Sequence, residues 1–212
     1  MPGHVITLAQ QKGGSGKTTL AANIAVELAS RGSSVAVVDT DPQGSLGRWF
    51  MTRLEQVDAP GLDFATASAW GVSYEVKKLL DSHDLVLIDT PPKADSDARH
   101  ALRAADLVVV PVAASAVDLW ATDSVLELSE RADAPVMTVL NRARAGTKIA
   151  DAMVGELANL GATAAKTVIG NRVVFAETLG LGLAAREKQS TGPAAQEISA
   201  LASEILGRLA KG

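Results

Sequence analysis

The sequence predicts an α/β fold in which a mostly parallel, twisted sheet carries helices on both faces, within a single domain spanning residues 1–212. Three observations predict it. Short apolar runs alternate with longer segments of helical periodicity, the order that builds a parallel sheet through crossover helices. Hydrophobic residues make up 47% of the chain but aromatic residues only 3%, so the core must be built from Ala, Val, Leu and Ile, as in strands buried on both faces. Polar residues cluster where the apolar runs end, and sheets of this kind bind ligands outside the carboxyl ends of their strands.

Val5-Ile6-Thr7-Leu8-Ala9 reads as a buried first strand. Residues 18 to 31 follow as a helix, with Leu20, Ile24, Ala25 and Leu28 on its apolar stripe and Gly32 at its end. A second strand over 34 to 38 ends in Asp39-Thr40-Asp41. The stretch from 52 to 73 is the least regular part of the chain. A third strand over 84 to 88 runs into Asp89-Thr90-Pro91-Pro92. Residues 107 to 112 form a fourth, and 135 to 140 a fifth that ends in Asn141-Arg142. Residues 166 to 169 form a weaker sixth. Helices are expected over 119 to 131, 148 to 160 and 194 to 209. No repeat or low-complexity linker divides the chain.

Composition removes several function classes. The net charge of −4 means that any nucleic-acid binding must come from a local patch. Cysteine is absent, which excludes a disulfide scaffold, a thiolate metal site and a cysteine nucleophile. No apolar run approaches the roughly 20 residues that span a bilayer. Met1-Pro2-Gly3-His4 lacks the basic and apolar regions of a signal peptide, so the expectation is a soluble, cytoplasmic protein.

The strongest local signal is Gln11-Lys12-Gly13-Gly14-Ser15-Gly16-Lys17-Thr18-Thr19, between the first strand and the first helix. Glycines allow successive backbone N–H groups to face phosphate oxygens, and the helix N-terminus adds partial positive charge. Lys17 is expected at the β- and γ-phosphates of ATP, and the Thr18 hydroxyl on Mg²⁺. The motif specifies a P-loop NTPase-type fold and Mg²⁺-dependent ATP hydrolysis. One position departs from the ordinary G-x-x-x-x-G-K-[ST] pattern. Gln11 stands where the first Gly belongs, and Lys12 adds a second lysine at the loop's start.

This K-G-G-S-G-K-T-T segment resembles the deviant Walker A motif of the ParA/MinD family of ATPases. Asp39-Thr40-Asp41-Pro42-Gln43-Gly44 is similar to that family's switch I segment. Ile88-Asp89-Thr90-Pro91-Pro92 is similar to its Walker B and switch II segment, and Leu140-Asn141-Arg142 to its base-recognition position. The resemblance covers most of the chain and implies a ParA-like ATPase domain over 1–212. It implies that Lys12 crosses an ATP-sandwich homodimer to the partner's phosphates, and that Asp41 acts on the attacking water. It implies that Asp39 and Asp89 hold Mg²⁺ through water, and that Asn141 recognises the base. The plainer uses are a solvated Lys12, an Asp41 that caps the helix starting near Gly44, a turn at Asp89 and a strand-ending turn at Asn141.

Three readings of the ATPase follow. The first is ParA-like partitioning of a plasmid, a chromosomal region or a cytoplasmic protein cluster. It implies non-specific DNA binding, association with the nucleoid, and a ParB-like or adaptor partner that stimulates hydrolysis. The loop begins within a dozen residues of Met1, so the resemblance is to the short ParA type without an N-terminal helix-turn-helix. Candidate DNA contacts are Arg142, Arg144, Lys148, Arg172, Arg186 and Lys188, each of which serves equally as a solvated surface charge. The second reading is a MinD-like membrane switch. The final helix has Ile198, Leu201, Ile205 and Leu209 on one face, but acidic residues balance its basic ones, so core packing explains the stripe better. The third is a metabolic or electron-transfer relative; the absence of Cys excludes an iron–sulfur cluster, and no substrate signature marks a biosynthetic ligase. The first reading is favoured.

Overall fold

The computed structural model describes residues 3–68, 70–92, 96–144 and 146–211. Strands β1 (His4–Leu8), β2 (Val35–Asp39), β3 (Asp63–Thr66), β4 (Leu85–Asp89), β5 (Leu107–Ala113), β6 (Val136–Asn141) and β7 (Thr163–Ala164) form one sheet in the order β3-β2-β4-β1-β5-β6-β7. Every pairing is parallel. The crossovers are α1 (Lys17–Ser30), α2 (Ser45–Gln56), α3 (Gly71–Leu80), α4 (Ser96–Arg103), α5 (Ala116–Arg131) and α6 (Lys148–Ala158). After β7 come α7 (Val173–Gly180), α8 (Ala185–Lys188) and α9 (Pro193–Leu209).

The period of two along each strand sorts its side chains between two apolar layers. Ile6, Val35, Val37, Leu85, Leu87, Leu107 and Val109 pack with α1, α2 and α9. Val5, Ala36, Val38, Val86 and Ile88 pack under α3 and α4, while Val108, Val110 and Val112 pack under α5 and α6. Because both faces are covered, the central strands are apolar throughout, as the composition required. In α9, Ile198, Leu201, Ile205 and Leu209 are buried in the core. No helix among the described residues is long and apolar enough to cross a membrane.

Two parts of the chain differ from the sequence expectation. Residues 52 to 73 contain the end of α2, all of β3 and the start of α3. β3 has only four residues and is half-exposed at the sheet edge, so it lacks the apolar run that marks a buried strand. The sixth strand expected at 166 to 169 is not formed. Pairing with β6 occurs earlier, at Thr163–Ala164. Glu204 takes the N–H groups of Lys166 and Thr167 at 2.7 and 2.8 Å, which replaces ladder bonding there.

Helix α2 is fastened to the α7–α8 region by Arg53, which is 4% exposed. Its guanidinium donates to Glu187 at 2.7 and 2.8 Å, to the Pro60 carbonyl at 2.8 Å and to the Gly182 carbonyl at 3.2 Å. It also lies 5.5 Å from the Trp49 ring centroid. Removing the partly exposed Glu187 carboxylate leaves the buried guanidinium with only its two carbonyl partners. Glu187→Ala is therefore expected to destabilise the chain by about 1–3 kcal/mol, read as a lowered denaturant midpoint. A change below about 0.5 kcal/mol would show that water replaces the carboxylate.

Candidate active site

The site lies at the carboxyl ends of β1, β2, β4 and β6. In the loop from Gln10 to Lys17 the chain turns from strand to helix by taking left-handed conformations at Gly14 (φ 76°) and Gly16 (φ 98°), where a side chain would be strained. At Gly16 space is lacking as well, since a Cβ there would sit 2.4 Å from the Asn141 amide nitrogen. Asn141, 4% exposed, donates to the Ser15 carbonyl at 2.7 Å and accepts from the Arg142 N–H at 2.9 Å. Its amide thus pins the loop against the end of β6. Arg142 itself adopts the left-handed region (φ 54°), and its Nε lies 3.9 Å from the Cβ position of Gly16.

The two lysines of the loop have different surroundings. Lys17 is 7% exposed and donates to the Gln10 carbonyl at 2.9 Å. Burial pulls its pKa down, opposed by the carboxylates of Asp89 and Asp41. Lys12 keeps 39% of its side chain exposed on the loop's outer rim and pairs with Asp118 at 2.5 Å. Asp118 is buried at the start of α5, where its N–H and the Ser115 hydroxyl close the first turn. It is a site residue that the sequence reading missed. Its signal was present, because Ser115-x-x-Asp118 before a helix is a capping pattern.

Three carboxylates face the loop from the neighbouring strands. Asp39 and Asp89 are the last residues of adjacent strands and lie opposite each other in the register. Asp39 accepts from the N–H groups of Asp41 at 3.0 Å and Gly47 at 2.9 Å. Asp39, and not Asp41, therefore serves the first turn of α2. Asp41 is half-buried and accepts from the Gln43 N–H at 2.9 Å. Asp89 accepts from the Thr18 hydroxyl at 2.5 Å through Oδ2, while its buried Oδ1 has no hydrogen-bond partner among the described residues. The Ser15 hydroxyl is likewise buried and unpartnered among the described residues. Thr19 follows Thr18 in the first turn of α1, and its carbonyl accepts from Asn23.

These donors suit Mg²⁺. A hydroxyl beside oxygen-only carboxylates, one with an orphaned oxygen, matches a hard cation that binds few protein groups and retains water. No cluster of three or more His, Cys, Asp or Glu with metal-binding geometry occurs among the described residues. Thr18 would hold the ion directly, with Asp39 and Asp89 behind its waters.

Burial raises the Asp89 pKa to about 7, and the nearby Asp39 and Asp41 charges add to the rise. Burial also raises Asp39. Unfolded, Asp89 ionises near 3.8. At pH below both values the two states bind the same proton and nothing is lost. Between the two values the unfolded chain releases a proton that the native chain keeps, so stability falls as pH rises toward about 7 and levels off once the native carboxyl also ionises. The metal-free chain is expected to unfold at lower denaturant at pH about 8 than at pH about 6, and Asp89→Asn to shrink that difference. An unchanged pH profile in the variant would assign the dependence to other groups.

Of the six candidate DNA contacts, Arg142, Arg144 and Lys148 are exposed, Arg142 beside the loop at Gly16. The other three are engaged within the chain. Arg172 pairs with Glu197, Arg186 with Glu27, and Lys188 with Glu177.

The family model for ATPase MipZ matches residues 4–127. The chain is 32% identical over 240 aligned residues to the chromosome-partitioning ATPase Soj of Thermus thermophilus, covering 96% of each protein. It is 29% identical over 208 residues to maintenance of carboxysome distribution protein A of Halothiobacillus neapolitanus, covering 95% of each. The structure of a Cyanothece McdA–ATP complex superposes with a TM-score of 0.80 at 16% identity, covering 97% of both chains. At that identity the likeness is one of fold.

Proposed function

The chain belongs to the ATPase MipZ family and, with it, to the ParA/MinD-type positioning ATPases, and on that premise we propose that it works as an ATP-sandwich homodimer whose hydrolysis times the release of a cargo from DNA. The observation that carries this reading is the pair of lysines on one phosphate loop. Lys17 points inward and is buried, whereas Lys12 lies on the rim with two-fifths of its side chain in solvent. A lysine placed there is free to reach phosphates held by a second copy once it leaves Asp118.

Within one subunit, the backbone of Gly13 to Thr19 cradles the phosphates and Lys17 neutralises the β- and γ-oxygens. Thr18, with Asp39 and Asp89, would hold Mg²⁺, which would offset charge on the phosphates. Asp41 orients the attacking water and accepts its proton. Asn141 holds the loop and offers its remaining acceptor capacity to the adenine edge. Lys12 of the second copy completes the site.

Non-specific DNA binding, association with the nucleoid and stimulation by a ParB-like or adaptor partner belong to the same proposal. The relatives support a positioning role with different cargoes, since one is named for chromosome partitioning and another for carboxysome distribution. A membrane-bound, MinD-like mode is disfavoured because the apolar stripe of α9 is buried. Light scattering tests the dimer. With Mg²⁺, ATP is expected to double the mass and ADP to leave it monomeric; equal mass in both would defeat the proposal.

A further inference from the structure

The chain has three Trp, one Tyr and three Phe. Trp49, Phe50 and Phe175 are in the core. Yet Trp70 is 81% exposed, Tyr74, the only tyrosine, 73%, and Trp120 of α5 67%. Trp70 is the N-cap residue of α3 and Tyr74 lies one turn further on, so both rings rise from one face of that helix. Solvent-facing aromatics in a chain this poor in them mark a contact surface.

The surrounding charges specify the kind of contact. Helices α3 and α4 pack side by side over Val72, Val76, Leu79 and Ala101. Their outer positions carry Lys77, Lys78, Arg99 and Arg103, all exposed. Among the described residues, Lys78 alone of these four is ion-paired, to Glu75 at 3.2 Å with the ammonium side chain 64% exposed, a pair of little energetic weight. The next helix, α5, has the opposite sign, with exposed Asp123, Glu127 and Glu130. Trp120 on α5 therefore lies among carboxylates, whereas Trp70 and Tyr74 lie among cations, and it is this combination that sets the α3–α4 face apart on a protein of net charge −4. From Trp70 to Lys78 it runs about 12 Å along α3, roughly three to four nucleotide steps of a duplex.

We propose that the α3–α4 face is the surface that binds duplex DNA. This rests on the reading of DNA as a partner, given above, and moves the main contact away from Arg172 and Arg186, whose charges are matched by the sheltered carboxylates of Glu197 and Glu27. Lys77, Lys78, Arg99 and Arg103 engage phosphates, and Trp70 and Tyr74 lay their rings against the sugar edge of a groove. An anionic membrane also attracts Trp, Tyr and Lys. However, no aliphatic residue of α3 or α4 is among the large exposed hydrophobics, so the face has little to insert. The position links DNA to nucleotide. α3 follows β3, whose Thr66 pairs with Asp39, and α4 is the crossover that follows β4 and Asp89.

The test is anisotropy of a long labelled duplex of arbitrary sequence, titrated with the full chain, ATP and Mg²⁺ across a salt series. Reversing the face (Lys77→Glu, Lys78→Glu, Arg99→Glu, Arg103→Glu) is expected to weaken binding about a hundredfold or more and to flatten the salt dependence. The neutral pair Trp70→Ala, Tyr74→Ala is expected to weaken it about tenfold with the salt slope unchanged. Both variants should keep the parental basal ATP turnover and ATP-dependent mass. Parental DNA affinity in both variants overturns the assignment while leaving DNA as a partner. A parental chain that does not bind DNA removes that reading and this inference together. Binding of the parental chain, but not the charge-reversed one, to phosphatidylglycerol vesicles without DNA binding assigns the face to membrane and overturns the proposal.

Discussion

Asp41→Ala is expected to lower ATP turnover by about 10²–10⁴-fold while ATP binding persists, so that the nucleotide-bound dimer accumulates. The structure isolates this substitution from the fold. Helix α2 takes Gly44 as its N-cap with no side-chain cap, and its Gly47 N–H is satisfied by Asp39. Asp41 contributes one bond, to the Gln43 N–H. Its loss removes a water-facing carboxylate and leaves the helix start intact. Asp39→Ala, by contrast, strips acceptors from both Asp41 and Gly47 and is expected to destabilise the chain by about 1 kcal/mol or more. Phosphate release together with light scattering separates the two. Turnover at the parental rate in Asp41→Ala would reduce Asp41 to a turn residue.

Lys12→Ala is expected to lower turnover by about 10³-fold or more, the scale of a cation supplied to a phosphoryl-transfer site in trans, while each subunit still binds ATP through Lys17. The 2.5 Å contact with Asp118 gives this residue a second state. In the free chain the ammonium is held by a buried carboxylate of its own subunit, a partner that the proposed sandwich dimer requires it to exchange for phosphate. Asp118→Asn retains a side chain of the same shape at the start of α5 and weakens the hold. It is expected to favour the ATP dimer, seen as dimerisation at lower protein concentration. Parental behaviour in Lys12→Ala would leave Lys12 as a surface charge.

Much of this was legible because two periodicities are clean. Alternation by two sends Val35 and Val37 one way and Ala36 and Val38 the other, and each such run ends in a polar residue. Strand ends were displaced by about one residue. Asp39, Asp89 and Asn141 are the last strand residues and not the first loop residues, because the ladder continues to them through backbone bonds that no side chain reveals. Strand β3 was invisible for a different reason: four half-exposed edge residues have too little apolar content to register. At the site, the residues on the loop could be read from spacing alone. Asp118 could not be joined to Lys12, since 106 positions separate them and only the closure of β5 and α5 beside the loop brings them together. The ion pairs of Arg172, Arg186 and Lys188 were hidden in the same way.

The central claim is that one catalytic lysine acts across the dimer, and mixing two inactive chains tests it most directly. Lys12→Ala lacks the crossing lysine, and Asp41→Ala lacks the water-facing carboxylate. In a mixed dimer, the site built on the Lys12→Ala subunit keeps its own Asp41 and receives Lys12 from the other copy. Equimolar mixing is therefore expected to restore up to about a quarter of the parental ATP turnover, since half the dimers are mixed and each has one complete site. If Lys12 serves its own subunit, neither site of the mixed dimer is complete. Turnover that stays at the level of the separate variants, in a mixture shown to form mixed dimers, would contradict the account.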